Sequence, residues 1–114
     1  MPLPSLDKAL FKDEKVWIIN PQKNQPELRN MAKAIDIADA VVLWATREAH
    51  LPKNQEALDT VPSGTVLWVC YPKPGKLETD IGRDKLWIFM KGRGFEPIRV
   101  VSVDDTWSAF SFKK

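Results

Sequence analysis

The fold of this chain is decided by Thr65-Val66-Leu67-Trp68-Val69-Cys70-Tyr71, followed at once by Pro72-Lys73-Pro74-Gly75-Lys76. The first part is a near-continuous apolar run, which is typical of a strand buried on both faces. The second part is a basic Pro/Gly loop, and the apolar spacing beyond Gly82 predicts a helix. We therefore predict a central strand, a loop at its carboxyl end and a helix.

Similar patterns predict the elements before this stretch. Residues 16–19 and 40–45 are apolar runs that indicate two further buried strands, parallel to each other. Residues 34–37 indicate a short strand, or else a helix that continues to Ala38. Helices are also expected in residues 26–32 and 47–61, and in a loosely attached amino-terminal segment, residues 1–14.

The carboxyl-terminal part predicts a hairpin. Residues 97–103 and 107–112 alternate apolar and polar side chains around Asp104-Asp105-Thr106, so we expect two antiparallel strands with the last strand half exposed. Together the elements predict a single α/β domain over residues 1–114. Its expected architecture is Rossmann-like and three-layered, with a mostly parallel sheet of five or six strands and a C-terminal antiparallel hairpin.

Length and composition exclude several classes of protein. The chain has 114 residues, of which 44% are hydrophobic, and a formal net charge of +2, which suits one domain with its own core. The near balance of charge argues against a dedicated polyanion binder, so nucleic acid is an unlikely partner. The apolar runs are too short to span a bilayer, and the amino terminus has no secretory signal pattern. We expect a cytoplasmic protein with no membrane association.

Single residue types add two expectations about the core. Cys70 is the one cysteine and lies in the central predicted strand, so it is interpreted as a buried hydrophobic residue and not as a nucleophile. The five tryptophans are spread over the predicted elements, which favours core packing over a binding platform, with Trp107 partly exposed beside the hairpin turn.

The loop after the first predicted strand argues against the usual cofactors of such a fold. Residues 21–26 contain no glycine, whereas a dinucleotide or S-adenosylmethionine site needs glycines there so that the backbone can approach the ligand. We expect no cofactor of this kind.

Two resemblances follow from these motifs. The carboxyl half, with residues 61–67 before a helix and Gly94-Phe95-Glu96-Pro97 before a hairpin, is similar in layout to the last third of class I methyltransferases. A closer resemblance covers nearly the whole chain, through Asn20-Pro21, Trp68-Val69, Pro72-Lys73, Thr79-Asp80 and Asp104-Asp105-Thr106-Trp107-Ser108. In these motifs the chain resembles the bacterial family called domain of unknown function 3052. The family has no assigned activity, so the resemblance implies an architecture and transfers no catalytic residue.

The best candidate site is the basic loop after the central strand. Ligands of open α/β sheets bind at the carboxyl ends of the strands, and five residues there could hold a phosphate or carboxylate: Lys73, Lys76, Thr79, Asp80 and Arg83. The alternative is a solvated loop in which Thr79 and Asp80 only cap the helix.

Other chemistry has little support in the sequence. His50 is the one histidine and has no cluster of metal ligands around it, so it is interpreted as exposed or as a capping residue. Asp104 and Asp105 have the composition of a turn. We therefore expect no metal site and no catalytic residues, and the chain is not clearly an enzyme.

These observations leave two main hypotheses for function. The first is a non-catalytic binding or protein-interaction module that forms a homodimer, or binds a protein partner, through its C-terminal strand. The second is a binder of a small anionic, phosphate or nucleotide-like ligand at residues 72–83, or a weak enzyme acting on one. RNA binding is a remote third, through basic residues at Lys73, Lys76, Lys91 and Arg93.

Overall fold

The computed structural model describes Leu6, residues 10–20, Leu28, residues 30–73, Gly75 and residues 80–114. Within these ranges the chain forms five strands, which are β1 (Val16–Ile19), β2 (Ala40–Trp44), β3 (Val66–Pro72), β4 (Glu96–Ser102) and β5 (Trp107–Lys113). Three short α-helices accompany them, namely α1 (His50–Lys53), α2 (Gln55–Asp59) and α3 (Arg83–Gly92).

The strands form one mixed sheet in the order β1-β2-β3-β5-β4. The first three strands are parallel to one another, whereas β5 is antiparallel to both β3 and β4. The prediction of a mostly parallel, Rossmann-like three-layer fold is therefore wrong. The physical reason lies in β5, which turns back after β4 and takes the place beside β3 that a parallel strand would occupy in the predicted fold.

β5 lies inside the sheet, between β3 and β4, because its side chains are apolar on both faces. Phe110 and Phe112 face the helices and Trp107 and Ala109 face the other side, and all four are buried. β4 carries Glu, Pro, Arg and Ser and is mostly exposed, as is usual for an edge strand. The expectation of a half-exposed last strand is wrong, whereas the homodimer or protein partner expected at this strand stays a prediction. Both edges of β5 already bond to neighbouring strands.

The two faces of the sheet are covered differently. Leu51, Leu58, Leu86 and Met90 of the three α-helices pack on one face, where they form a single buried cluster with β2, β3 and β5. The other face carries a second cluster that includes no residue of α1, α2 or α3. Leu6 and Phe11, from the segment predicted to be loosely attached, are buried in this second cluster together with Leu28. In the described part of the chain, apolar side chains of Leu6, Phe11 and Leu28 cover this face.

α3 ends in a glycine-containing cap that leads into β4. The N–H groups of Gly94 and Phe95 donate to the Lys91 and Met90 carbonyls at 3.1 Å each, which is the Schellman arrangement. Gly94 has a φ of 89°, a left-handed conformation that glycine adopts without a steric cost. Phe95 is then buried and leads directly into β4.

The structure contradicts some of the smaller predictions and does not test others. Residues 35–37 form a short, unburied 3₁₀ helix, so the strand predicted at 34–37 is wrong. The helix predicted over residues 47–61 is divided, with Pro52 inside α1 and Asn54 between α1 and α2. Trp107 is buried rather than partly exposed, whereas Trp87 on α3 is 42% exposed. The helices predicted near residues 1–14 and 26–32 fall largely outside the described residues.

No helix in the described part of the chain combines the length and the apolar character needed to cross a membrane.

Candidate functional site

The carboxyl ends of the parallel strands β1 and β2 are joined by one side chain. Asn20 follows β1 directly and has a left-handed backbone, with a φ of 54°, which asparagine tolerates better than most residues. Its Nδ2 donates a hydrogen bond to the Trp44 carbonyl at 2.8 Å. The bond holds the two strand ends side by side at the edge of the sheet where ligands of α/β proteins usually bind.

His50 organises the turn that follows β2. Its Nδ1 accepts hydrogen bonds from the backbone N–H groups of Thr46 at 3.1 Å and Arg47 at 3.3 Å. An imidazole nitrogen that accepts carries no proton, so this arrangement assigns the proton of the neutral ring to Nε2. His50 is partly buried and bonds to the turn before α1, and no side-chain cap is formed on that helix, so its interpretation as an exposed or helix-capping residue is not confirmed.

Asp80 connects this turn to the start of α3. Its Oδ1 accepts a hydrogen bond from the backbone N–H of Glu48 at 2.7 Å. Lys85 closes the network, because its Nζ donates to the Glu48 carboxylate at 3.1 Å and to the Asp80 carbonyl at 3.3 Å. The hydrogen bond from Glu48 lowers the pKa of the Asp80 carboxyl, burial opposes that shift, and the charges of Arg47 and Lys85 add to it.

These bonds bear on the alternative in which the loop only caps α3. Gly82 is the N-cap residue of α3, and no side chain of the described residues caps the helix. A capping role for Asp80 is therefore wrong, and Thr79 lies outside the described residues. The Asp80 carboxylate is used to join two loops instead.

An open cleft of about 770 Å³ lies beside this network, between the start of α3 and the ends of β3 and β5. Tyr71 and Ser108 stand directly opposite each other on β3 and β5, and both line the cleft. The described residues around them are Gly75, Asp80, Ile81, Gly82, Arg83, Asp84, Lys85 and Val100. The cleft therefore combines two hydroxyl groups, charged side chains of both signs and an apolar wall.

Tyr71 is the least exposed of the polar side chains that line this cleft. It is only 4% exposed, and burial raises the pKa of its hydroxyl. The positive charge of Arg83 and a hydrogen bond from Ser108 both lower this pKa and so oppose the effect of burial. The three side chains are thus close enough to influence one another, and they offer several hydrogen-bond donors to the same space.

The structure brings together only part of the predicted site. Asp80 and Arg83, two of the five predicted site residues, line the cleft. Lys73 is not among its described lining residues, because its Nζ donates to Ser102 Oγ at 2.6 Å and its backbone N–H donates to the Thr106 carbonyl at 2.7 Å. Lys76 and Thr79 lie outside the described residues, so their placement stays a prediction.

Tyr71, Asp84 and Ser108 belong to the cleft but were not predicted as site residues. Asp84 and Tyr71 adjoin the predicted loop. Their positions, at the start of a helix and at the end of a strand, are sequence signals by which both residues can be found. Ser108 had no local signal, since it reaches the cleft only because β5 lies beside β3. Sequence reasoning placed β5 at the outside of the sheet and so missed it.

Two basic residues of the RNA-binding hypothesis lie at the end of α3 that is far from the cleft. Arg93 lies at the end of α3, about 15 Å along the helix from Arg83, and forms an ion pair with Asp59. Lys91 lies over the ring of Trp87, with its Nζ 5.5 Å from the ring centre. The RNA-binding hypothesis therefore gains no support from the described basic residues.

A second, smaller groove of about 380 Å³ lies on the opposite face of the sheet. Trp68 and Arg99 line it, and the guanidinium carbon of Arg99 lies 5.7 Å from the centre of the Trp68 ring. Glu14 and Asp39 lie at the same groove.

Among the residues that the structure describes, neither groove nor cleft contains three or more His, Cys, Asp or Glu side chains placed to hold a metal ion.

The fold and the cleft define a small mixed α/β domain with an open polar cleft at the carboxyl end of its central strand. No model of a known protein family matches this chain, and no curated protein matches it. The resemblance to domain of unknown function 3052 stays a prediction.

Proposed function

We propose that this domain is a non-catalytic binding module that holds a small molecule with an anionic group in the cleft beside α3. The observation that carries the proposal is the grouping of Arg83 with the hydroxyls of Tyr71 and Ser108 in one cleft of about 770 Å³. This volume lies within the range of known small-molecule sites.

The chemistry of these three groups suits an anion. A guanidinium presents a planar set of N–H donors that matches a carboxylate or phosphate, and the Tyr71 hydroxyl, which accepts the hydrogen bond from Ser108, can donate to a further oxygen atom. Arg83 forms no ion pair with any other described residue, so its charge is available to a ligand. These groups bind an anion without a chemical step.

The other main hypothesis, pairing with a protein through the sheet, receives less support. With β5 in the interior, β4 is the outer strand on that side of the sheet. Pro97 has no N–H to offer a partner strand, and the register shifts between Pro97 and Arg99. Proline and an irregular register are common means of protecting an edge strand from pairing.

A thermal-shift experiment tests the proposal. We expect 3-phenylpropionate or inorganic phosphate at about 10 mM to raise the melting temperature by several degrees, assuming a Kd of about 1 mM. Arg83→Gln should remove the shift. Arg99→Gln is the matched control, because it removes the same charge from the opposite face of the sheet, and it should keep the shift. If neither anion stabilises the wild-type protein, or if both variants lose the shift equally, the proposal is wrong.

A further inference from the structure

The cleft contains unpaired charges of both signs. Arg83 and Asp84 both line it, both are exposed, and neither forms an ion pair with another described residue. The two side chains line the same cleft and form no ion pair with each other, so each charge is open to a ligand. Lys85 and Asp80 line the same cleft but are already engaged with Glu48.

This arrangement matches one class of anionic ligand better than the others. A phosphate dianion at Arg83 would meet one available cation and the nearby carboxylate of Asp84, and like charges repel. A molecule with one carboxylate and one ammonium group can place the first on Arg83 and the second on Asp84. Each of the two side chains then gains a partner of opposite charge.

The rest of the cleft indicates an apolar body for this molecule. Ile81 and Val100 line the cleft, and Val100 is 42% exposed although it is apolar. Apolar side chains left open beside charged ones are typical of ligand sites.

We infer that the ligand is a zwitterion, with a carboxylate bound by Arg83, an ammonium group bound by Asp84, and a large apolar body, as in an aromatic or branched amino acid. The inference rests on the proposed function, since it assigns the anionic group to the same arginine. The hydroxyl of Tyr71 is left to donate to the remaining carboxylate oxygen.

Calorimetric titration with three matched compounds tests the inference. L-phenylalanine carries both charges, 3-phenylpropionate carries only the carboxylate, and 2-phenylethylamine carries only the ammonium group. We expect L-phenylalanine to bind about fivefold more tightly than 3-phenylpropionate, the gain of one exposed charge pair, and 2-phenylethylamine to bind most weakly. Inorganic phosphate should bind more weakly than L-phenylalanine.

Variants assign each charge to its residue. Asp84→Asn should make the affinities for L-phenylalanine and 3-phenylpropionate equal, and Arg83→Gln should weaken both. Both side chains are exposed, and matching melting curves without ligand will confirm that the variants fold. If the wild type binds 3-phenylpropionate or phosphate as tightly as L-phenylalanine, the inference is wrong and the proposed function stands. If no compound with an anionic group binds, both are wrong.

Discussion

The Asp80 carboxylate accepts a hydrogen bond of 2.7 Å from the backbone N–H of Glu48, a residue 32 positions earlier in the chain. The bond joins the turn after β2 to the start of α3, and so it sets one side of the proposed binding cleft. Lys85 bonds to both residues and reinforces this junction.

The first prediction concerns the pH dependence of stability. The pKa of Asp80 is lowered in the folded protein, so its stabilising effect is complete above the ordinary carboxyl pKa and is lost as the pH falls through the lowered value. Asp80→Asn should therefore lose less stability than the wild type on acidification. Urea unfolding at a series of pH values from about 7 to about 2 measures this difference. Asp105→Asn is the control, and the assignment fails if the Asp80 and Asp105 variants have the same pH slope.

The second prediction uses the single tyrosine of the chain. Because burial raises the pKa of Tyr71, its hydroxyl should ionise above the usual value near 10, and stability should fall as the pH rises through that region. Arg83→Gln should raise this pKa further, because the positive charge of Arg83 lowers it. Ultraviolet titration of the tyrosinate follows both changes. An unchanged or lower value in the variant would mean that Arg83 does not lie beside Tyr71.

The third prediction tests the position of β5. Phe112 on β5 is fully buried, so Phe112→Ala should destabilise the protein by about 3–5 kcal/mol. Ile98 on β4 is 51% exposed, and Ile98→Ala should change stability by no more than about 0.5 kcal/mol. Denaturant unfolding gives both values. In native-state hydrogen exchange, the amides of β5 should be better protected than those of β4, and the reverse order would contradict the topology.

The fourth prediction concerns Cys70. Its side chain is fully buried in β3, and burial raises the pKa of the thiol, so little reactive thiolate forms near neutral pH. A thiol reagent such as iodoacetamide should leave the folded protein unmodified and react fully in denaturant. Mass spectrometry counts the modified molecules. Rapid modification under native conditions would show that the thiol is accessible.

The sequence predicted the individual strands better than their arrangement. The runs at Val16–Ile19, Ala40–Trp44 and Val66–Pro72 are apolar on both faces, and each forms a buried or largely buried strand. The alternation in residues 107–112 was interpreted as a half-exposed edge strand. Its polar positions are Ser108 and Ser111, which are small enough to be buried in the sheet. Strand order depends on such long-range packing, and the local sequence pattern does not determine it.

The candidate site was predicted in the same partial way. The rule for the carboxyl ends of strands selected the loop that holds Asp80 and Arg83, and both residues line the cleft. Lys73 bonds to Ser102 instead, because the turn between β4 and β5 comes to lie beside the end of β3. Ser108 enters the cleft for the same reason. Both outcomes follow from the antiparallel pairing of β3 with β5, which the sequence did not reveal.

The most direct test of the central claim is a map of amide chemical shifts during titration with 3-phenylpropionate. If the cleft beside α3 is the binding site, the largest changes should fall at Tyr71, Ile81–Lys85, Val100 and Ser108, and Arg83→Gln should abolish them. The claim is contradicted if the changes cluster at Trp68 and Arg99 on the opposite face, or if none occur at about 10 mM ligand, ten times the expected Kd.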